Sequence, residues 1–268
     1  MKTSAELKAM AKQRMAPKIT SLVGAVFIFG ALLFGLCIAI AFVYTSNLIA
    51  TGVFASEAAL TNYLTEMMEK EATIKDLALS YGVDLFLGAL LSTISVGFSY
   101  VCLKAARNEE FKASDIFAVY NMNPDRIIII FFVSYLAKAV LTLPVTMFSY
   151  AFPSKEAFSI QMFISFVLEI VSYAGQVVIT VMLSQAFFIY IDDPYQNSFI
   201  TMSKSVGIMK YNFGKYIYLV LSFIPWYFVI LITFGVASIW VLPYINVTYA
   251  LFYMNIRGEL GVRIDTVV

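Results

Sequence analysis

The sequence contains no histidine, which removes the commonest general base and the commonest metal ligand together. Histidine-based catalytic triads and His-ligated zinc sites are therefore excluded. Cysteine is nearly as scarce: Cys37 and Cys102 fall in different hydrophobic runs and neither belongs to a CxxC pair, so both read as small apolar packing residues. Charge is low as well. Charged side chains make up 13% of the chain, and 18 basic against 17 acidic residues leave a net charge of +1, without the basic excess that a nucleic-acid partner requires.

What fills the chain is apolar. Hydrophobic residues reach 61% of the 268 positions and mean hydropathy is +0.84. Several runs attain the roughly 20 residues needed to cross about 30 Å of hydrocarbon. The fold class is all-α: a polytopic membrane protein forming a single integral membrane domain over residues 1–268. Six transmembrane helices are expected at about 19–43, 81–103, 127–148, 160–189, 216–234 and 238–254, with short amphipathic surface helices on the cytoplasmic side. The fourth run is long enough to tilt or to project beyond the membrane before its polar exit IDDP.

Basic residues orient the chain. With both termini in the cytoplasm, Lys2, Lys8, Lys12, Arg14, Lys18, Lys104, Arg107, Lys112, Arg126, Lys204, Lys210, Lys215, Arg257 and Arg263 lie inside, against only Lys70, Lys75 and Lys155 outside. The first apolar run is too long for a secretory leader, so it is expected to stay as the first span. Ahead of it, SAELKAMAKQRM carries Leu7, Met10, Ala11 and Met15 along one side and reads as a short helix on the inner surface. The outer loop, residues 46–79, includes the mixed-charge run TEMMEKEATIKD, read as a solvated helix and linker or as a contact for an outside partner.

The N-terminal AELKAMAKQRM, the inner-loop ARNEEFKASDIFAVY, the IDDP after the fourth span, and SKSVGIMKYNFGKYIYLVLSFIPWYF running into TFGVASIWVLPYINVTYALFY carry a family resemblance. Together they resemble the bacterial multi-pass family catalogued as domain of unknown function 975. The resemblance spans most of the chain apart from the outer loop, and its C-terminal third is the specific part. It implies a six-helix protein of the bacterial plasma membrane, and it brings no enzymatic activity with it.

One lysine breaks the third span. An ammonium at the bilayer centre costs roughly 2.5–3.5 kcal/mol on insertion scales, so Lys138 calls for a partner. Ser134, Lys138, Thr142, Thr146 and Ser149 recur every three or four residues and line one helix face. On the fourth span Ser165, Glu169, Ser172, Gln176 and Thr180 do the same, with Glu169 their one charge. A short connection makes the two helices antiparallel, so Lys138 and Glu169 are expected to pair near the midplane, as a helix clamp or in a substrate or proton role. Asp84, Gly88, Ser92, Ser95 and Ser99 form a third stripe, which either permits close helix packing or borders a polar cavity with the other two.

After IDDP comes the strongest amphipathic pattern. Tyr195, Phe199, Met202, Val206, Met209, Phe213 and Tyr216 form an apolar seam, with Lys204 and Lys215 on the other side and Lys210 in the same segment. Such a helix lies in the inner interface, or contacts a partner or anionic lipid. Trp226 and Trp240 read as anchors toward the outer half of the last two spans, and Pro243 is expected to kink the sixth.

These readings point to a non-enzymatic membrane protein with a polar interior. It would handle a lipid or small amphiphile, or serve as the membrane subunit of a transport or export system. The alternatives are an immunity or interaction protein against a membrane-active peptide and, less favoured, an intramembrane enzyme using Glu169 and Asp84, for which no nucleophile accompanies the carboxylates. No cofactor or metal is implied. Membrane lipids are the expected partners, with a second copy of the chain or a transporter subunit also open.

Overall fold

A computed structural model describes residues 2–69, 74–152 and 159–260. Among them there are eleven α-helices and no strand: α1 Ser4–Met15, α2 Ile19–Ala50, α3 Glu57–Glu69, α4 Ile74–Ala106, α5 Asp125–Ala151, α6 Ile160–Leu183, α7 Ala186–Asp192, α8 Ser198–Lys210, α9 Phe213–Leu221, α10 Ile224–Ile232 and α11 Ser238–Ile256. Six helical stretches are long and apolar enough to cross a membrane: Ser4–Ala50, Tyr81–Ala106, Asp125–Ala151, Ile160–Asp192, Phe213–Ile232 and Ser238–Ile256.

Local chemistry sets the boundaries. Thr3 and Glu6 form a capping box that opens α1, the Glu6 N–H donating to Thr3 Oγ1 at 3.3 Å and the Thr3 N–H to Glu6 Oε2 at 2.6 Å. Pro17 sits in the single 3-10 turn Ala16–Lys18 that joins α1 to α2. The long fourth run breaks at Ser184 and Gln185, so its projecting end becomes the separate helix α7. The fifth breaks at Ser222 and Phe223, with Pro225 in the first turn of α10, where its missing N–H is tolerated. Between α10 and α11 the chain reverses through Phe234 at φ 49° and Gly235 at φ 88°.

The core lies at one end. Both described termini and most of the lysines and arginines gather there, so it is called the basic end. Leu7, Ala11 and Met15 of α1, Leu22, Ala25 and Val26 of α2, and the last third of α4 are buried there. So are α7 and most of α11. From Tyr244 to Asn255 only Asn246 and Tyr249 escape full burial, which makes α11 the central helix. The 3-10 helix Ala113–Asn121 folds back onto α4 at Gly97, where a Cβ would overlap the Ile116 carbonyl. Farther from the basic end the helices present large apolar side chains outward, Phe34, Phe42, Met147, Phe163 and Leu231 among them, as surfaces facing hydrocarbon do.

Several expectations change. Helix α1 has the expected stripe but does not lie apart on a surface: it packs against α11 and α4. Cys102 is buried, whereas Cys37 is exposed. Lys12 Nζ lies 6.0 Å from the Trp226 ring and 5.6 Å from the Tyr244 ring, so this aromatic belt is level with α1 and not in the opposite half. Pro243 lies inside α11, which stays helical on both sides of it. Lys70 and Lys155 lie outside the described residues.

Candidate functional site

The three polar stripes meet only in part. Helix α5 packs against both α4 and α6. Ser92 and Ser172 are buried, Ser134, Lys138, Thr142, Ser165 and Gln176 are half-buried, and Asp84, Ser95 and Glu169 are exposed. Each hydroxyl that bonds does so close to home. Ser92 donates to the Ala89 carbonyl at 2.8 Å, Ser95 to Leu91 at 2.7 Å, Ser134 to Phe131 at 2.8 Å and Thr142 to Ala139 at 2.7 Å. Gln176 donates to Ser172 at 3.3 Å on its own helix. The donors are thus satisfied within single helices, which lets them sit in an apolar bundle without a shared network.

The space between the stripes is filled by side chains. A Cβ on Gly88 would overlap the Phe131 ring, and one on Gly175 would lie 2.8 Å from Leu141 Cδ1. These glycines therefore admit a phenyl ring and a leucine at the α4–α5 and α5–α6 contacts, which is the close-packing use of small residues.

The same contact corrects the expected ion pair. Because α5 and α6 are antiparallel with Leu141 against Gly175, Lys138 faces the region of Val178. Glu169 lies about nine residues away along α6, or about 13 Å at 1.5 Å per residue. The two are not joined by any ion pair among the described residues, and Glu169 faces outward. Depth counted from the span ends misled because it was taken from opposite ends of runs of unequal length: the same register sets Asp125 level with residue 191, so the level of Lys138 lies 18 residues from Ile160, whereas Glu169 lies nine.

The seam around α8 also divides. Its buried face is small and polar: Ser198, Thr201 and Ser205, followed by Met209. Ser205 donates to the Met182 carbonyl at 2.8 Å and Ser198 to that of Arg126 at 3.2 Å, docking α8 on α6 and α5. Phe199, Val206 and Tyr195 point outward, Met202 and Phe213 are half-buried, and Lys204 and Lys210 are exposed. An apolar outer face bordered by lysines fits an interfacial helix.

The densest charged constellation escaped the sequence reading. Arg107, just beyond α4, donates to Asp192 Oδ1 at 2.7 Å and lies 3.3 Å from Glu259 Oε2. Arg257, just beyond α11, pairs with Asp192 Oδ2 and lies 3.4 Å from Glu259 Oε1. Tyr253 completes the set, donating to Asp192 Oδ2 at 2.6 Å and accepting from Arg257 at 2.7 Å. Burial pulls the Arg107 pKa down, but hydrogen bonding and attraction from Asp192 and Glu259 outweigh it, and the net shift is upward. For Arg257 the balance runs the same way, burial being overcome by Tyr253, Asp192 and Glu259. Both guanidiniums stay charged, and the network ties the ends of α4, α7 and α11 together. IDDP flagged Asp192, but partners 85 and 61 residues away follow no spacing rule.

A family described as "Protein of unknown function (DUF975)" matches residues 1–259. No curated protein and no solved structure matches the chain.

Proposed function

The chain belongs to the DUF975 family, and on that footing we propose a non-enzymatic multi-pass membrane protein that holds the anionic group of a lipid or small amphiphile against Lys138. The basic end faces the cytoplasm of the bacterial plasma membrane, in keeping with the lysine and arginine asymmetry. The observation that carries the reading is Lys138 itself. Its side chain is half-buried in an apolar span, and no carboxylate forms an ion pair with it among the described residues. An ammonium at that depth is stabilised by a counter-charge. Glu169 is about 13 Å away along the helices, and Asp84, near the level of Tyr135 on the neighbouring α4, is exposed and forms no ion pair with Lys138 among the described residues, so the counter-charge is assigned to a bound anionic group.

Ser134 and Thr142, one turn to either side, keep their acceptor lone pairs while donating to their own helix. Beyond them the outer faces of α5 and α6 are open to hydrocarbon through Val140, Met147, Phe163 and Phe166, so an acyl chain has apolar surface to follow. The test is native mass spectrometry and lipid analysis of the purified protein and its Lys138→Met variant. The variant is expected to lose a co-purifying anionic amphiphile while remaining folded. Identical bound lipid in both proteins overturns the reading.

A further inference from the structure

A second cation stands apart from Lys138, at the basic end. Helix α1 runs alongside α11, with the Lys2 N–H donating to Asn255 Oδ1 at 3.0 Å. Farther along, Lys8 Nζ donates to the Ser222 carbonyl at 2.8 Å and lies 4.3 Å from the Phe223 ring centroid. Arg14 caps the Ala106 carbonyl and Lys18 that of Glu109. Lys12 differs from these neighbours. Among the described residues it has neither a carbonyl nor a carboxylate, and its ammonium rests only against the Trp226 and Tyr244 rings.

Beside it is an open cavity of about 240 Å³ whose walls include Lys12, Met15, Ile19, Trp226, Trp240 and Tyr244. Its lining is almost wholly apolar, and Lys12 is its one charged residue. We propose that this cavity binds a phosphate-bearing membrane lipid, with the headgroup phosphate at Lys12 and the first part of an acyl chain against Ile19 and Trp240.

Three observations favour a lipid over a soluble anion. The walls offer no second charged group, whereas a free phosphate ion would need several donors. The volume falls below the roughly 300–1,000 Å³ that encloses a drug-sized ligand, so the occupant must extend out of the cavity. Finally, Trp240 is 54% exposed beside an interfacial lysine, the pairing of aromatic and basic side chains found at headgroup level. A lysine near an anionic leaflet gains on the order of 1 kcal/mol, or about a fivefold enrichment of anionic lipid.

Trp226 and Trp240 are the chain's two tryptophans, so its intrinsic indole emission reports on this cavity alone. The experiment reconstitutes the full chain into nanodiscs with brominated phosphatidylglycerol or brominated phosphatidylcholine at equal mole fraction, and measures quenching. Stronger quenching by the anionic lipid is expected, lost in Lys12→Gln, kept in Lys12→Arg, and kept in the charge-matched control Lys112→Gln. Circular dichroism verifies that each variant is folded. Equal quenching by the two lipids in the unmodified protein overturns the proposal, as does a preference that survives Lys12→Gln or that Lys112→Gln also abolishes. Inorganic phosphate added at constant ionic strength separates the sources: if it removes the preference, the site takes a soluble anion and the lipid assignment fails.

Discussion

Arg107 Nη1 donates to Asp192 Oδ1 at 2.7 Å, joining the end of α4 to the end of α7 across 85 residues of chain. Their side chains are 26% and 17% exposed, so the pair is sheltered without being fully buried. Removing one partner leaves the other sheltered and only partly compensated, Asp192 by Arg257 and Tyr253 and Arg107 by Glu259. Arg107→Ala or Asp192→Asn is expected to cost about 2–3 kcal/mol, below the 3–5 typical of fully buried pairs, read as a lowered melting temperature in detergent. A double-mutant cycle is expected to give a clear coupling energy. Coupling near zero would mean the network is incidental to stability.

Lys138 and Glu169 are expected to behave oppositely. Sites more than roughly 7–10 Å apart without shared partners add to within about 0.3–0.5 kcal/mol, so Lys138→Met and Glu169→Gln are expected to act additively on thermal stability. Non-additivity of 1 kcal/mol or more, on the order seen for residues in contact, would restore the direct pair that the helix register rules out.

Two glycines make a matched comparison. Gly97→Ala drives a methyl into the Ile116 carbonyl, whereas a methyl on Gly30 meets nothing within 4 Å. The first is expected to destabilise by about 1–3 kcal/mol through overpacking, and the second to leave the melting temperature nearly unchanged. Equal tolerance of both would show that the 3-10 helix Ala113–Asn121 is free to move away from α4.

Helix α8 supplies a test of its divided seam. Met209 is 0% exposed and Phe199 is 62% exposed. Met209→Asp is therefore expected to prevent stable folding, whereas Phe199→Asp leaves the melting temperature in detergent intact and weakens only contact with the bilayer, seen as faster proteolysis of the 193–212 segment in membranes. Equivalent effects in detergent would return the seam to a single buried face.

Orientation has its own check. In a Cys37→Ser background, cysteines placed at Ser56 and Ser203 are expected to react with an impermeant reagent from opposite sides, Ser203 from the cytoplasm. The reverse assignment would put the basic end outside.

The spans were readable because twenty-residue apolar stretches have one physical solution in hydrocarbon, a helix with all its backbone bonds internal. The stripes on α4, α5 and α6 were readable too, since helical periodicity fixes which residues share a face. Relative height was not. Whether Lys138 meets Glu169 depends on where Leu141 meets Gly175, a packing detail that no single-helix pattern encodes. The Arg107–Asp192–Arg257–Glu259 network was hidden for a related reason: its members sit just outside or at the last residue of three elements, α4, α7 and α11, where periodicity has ended. The burial of α8 was misjudged because serines and a threonine, not the seam's larger apolar residues, form most of its docking face.

The turn at Phe234 and Gly235 bears on the shape of the whole bundle. From Trp226 to Phe234 the chain advances about eight residues, or about 12 Å, before it reverses, whereas α2 continues from Ile19 to Ala50, about 46 Å at the same rise. Trp240 and Ile19 share one cavity wall, so the two distances start from a common level. The last two apolar helices, though long enough to cross, are thus shifted toward the basic end and stop well short of the first. The outline beside α2 is therefore stepped at the hairpin tip, where Phe234 is 98% exposed, and a span that stops short in this way favours local thinning of a bilayer around it.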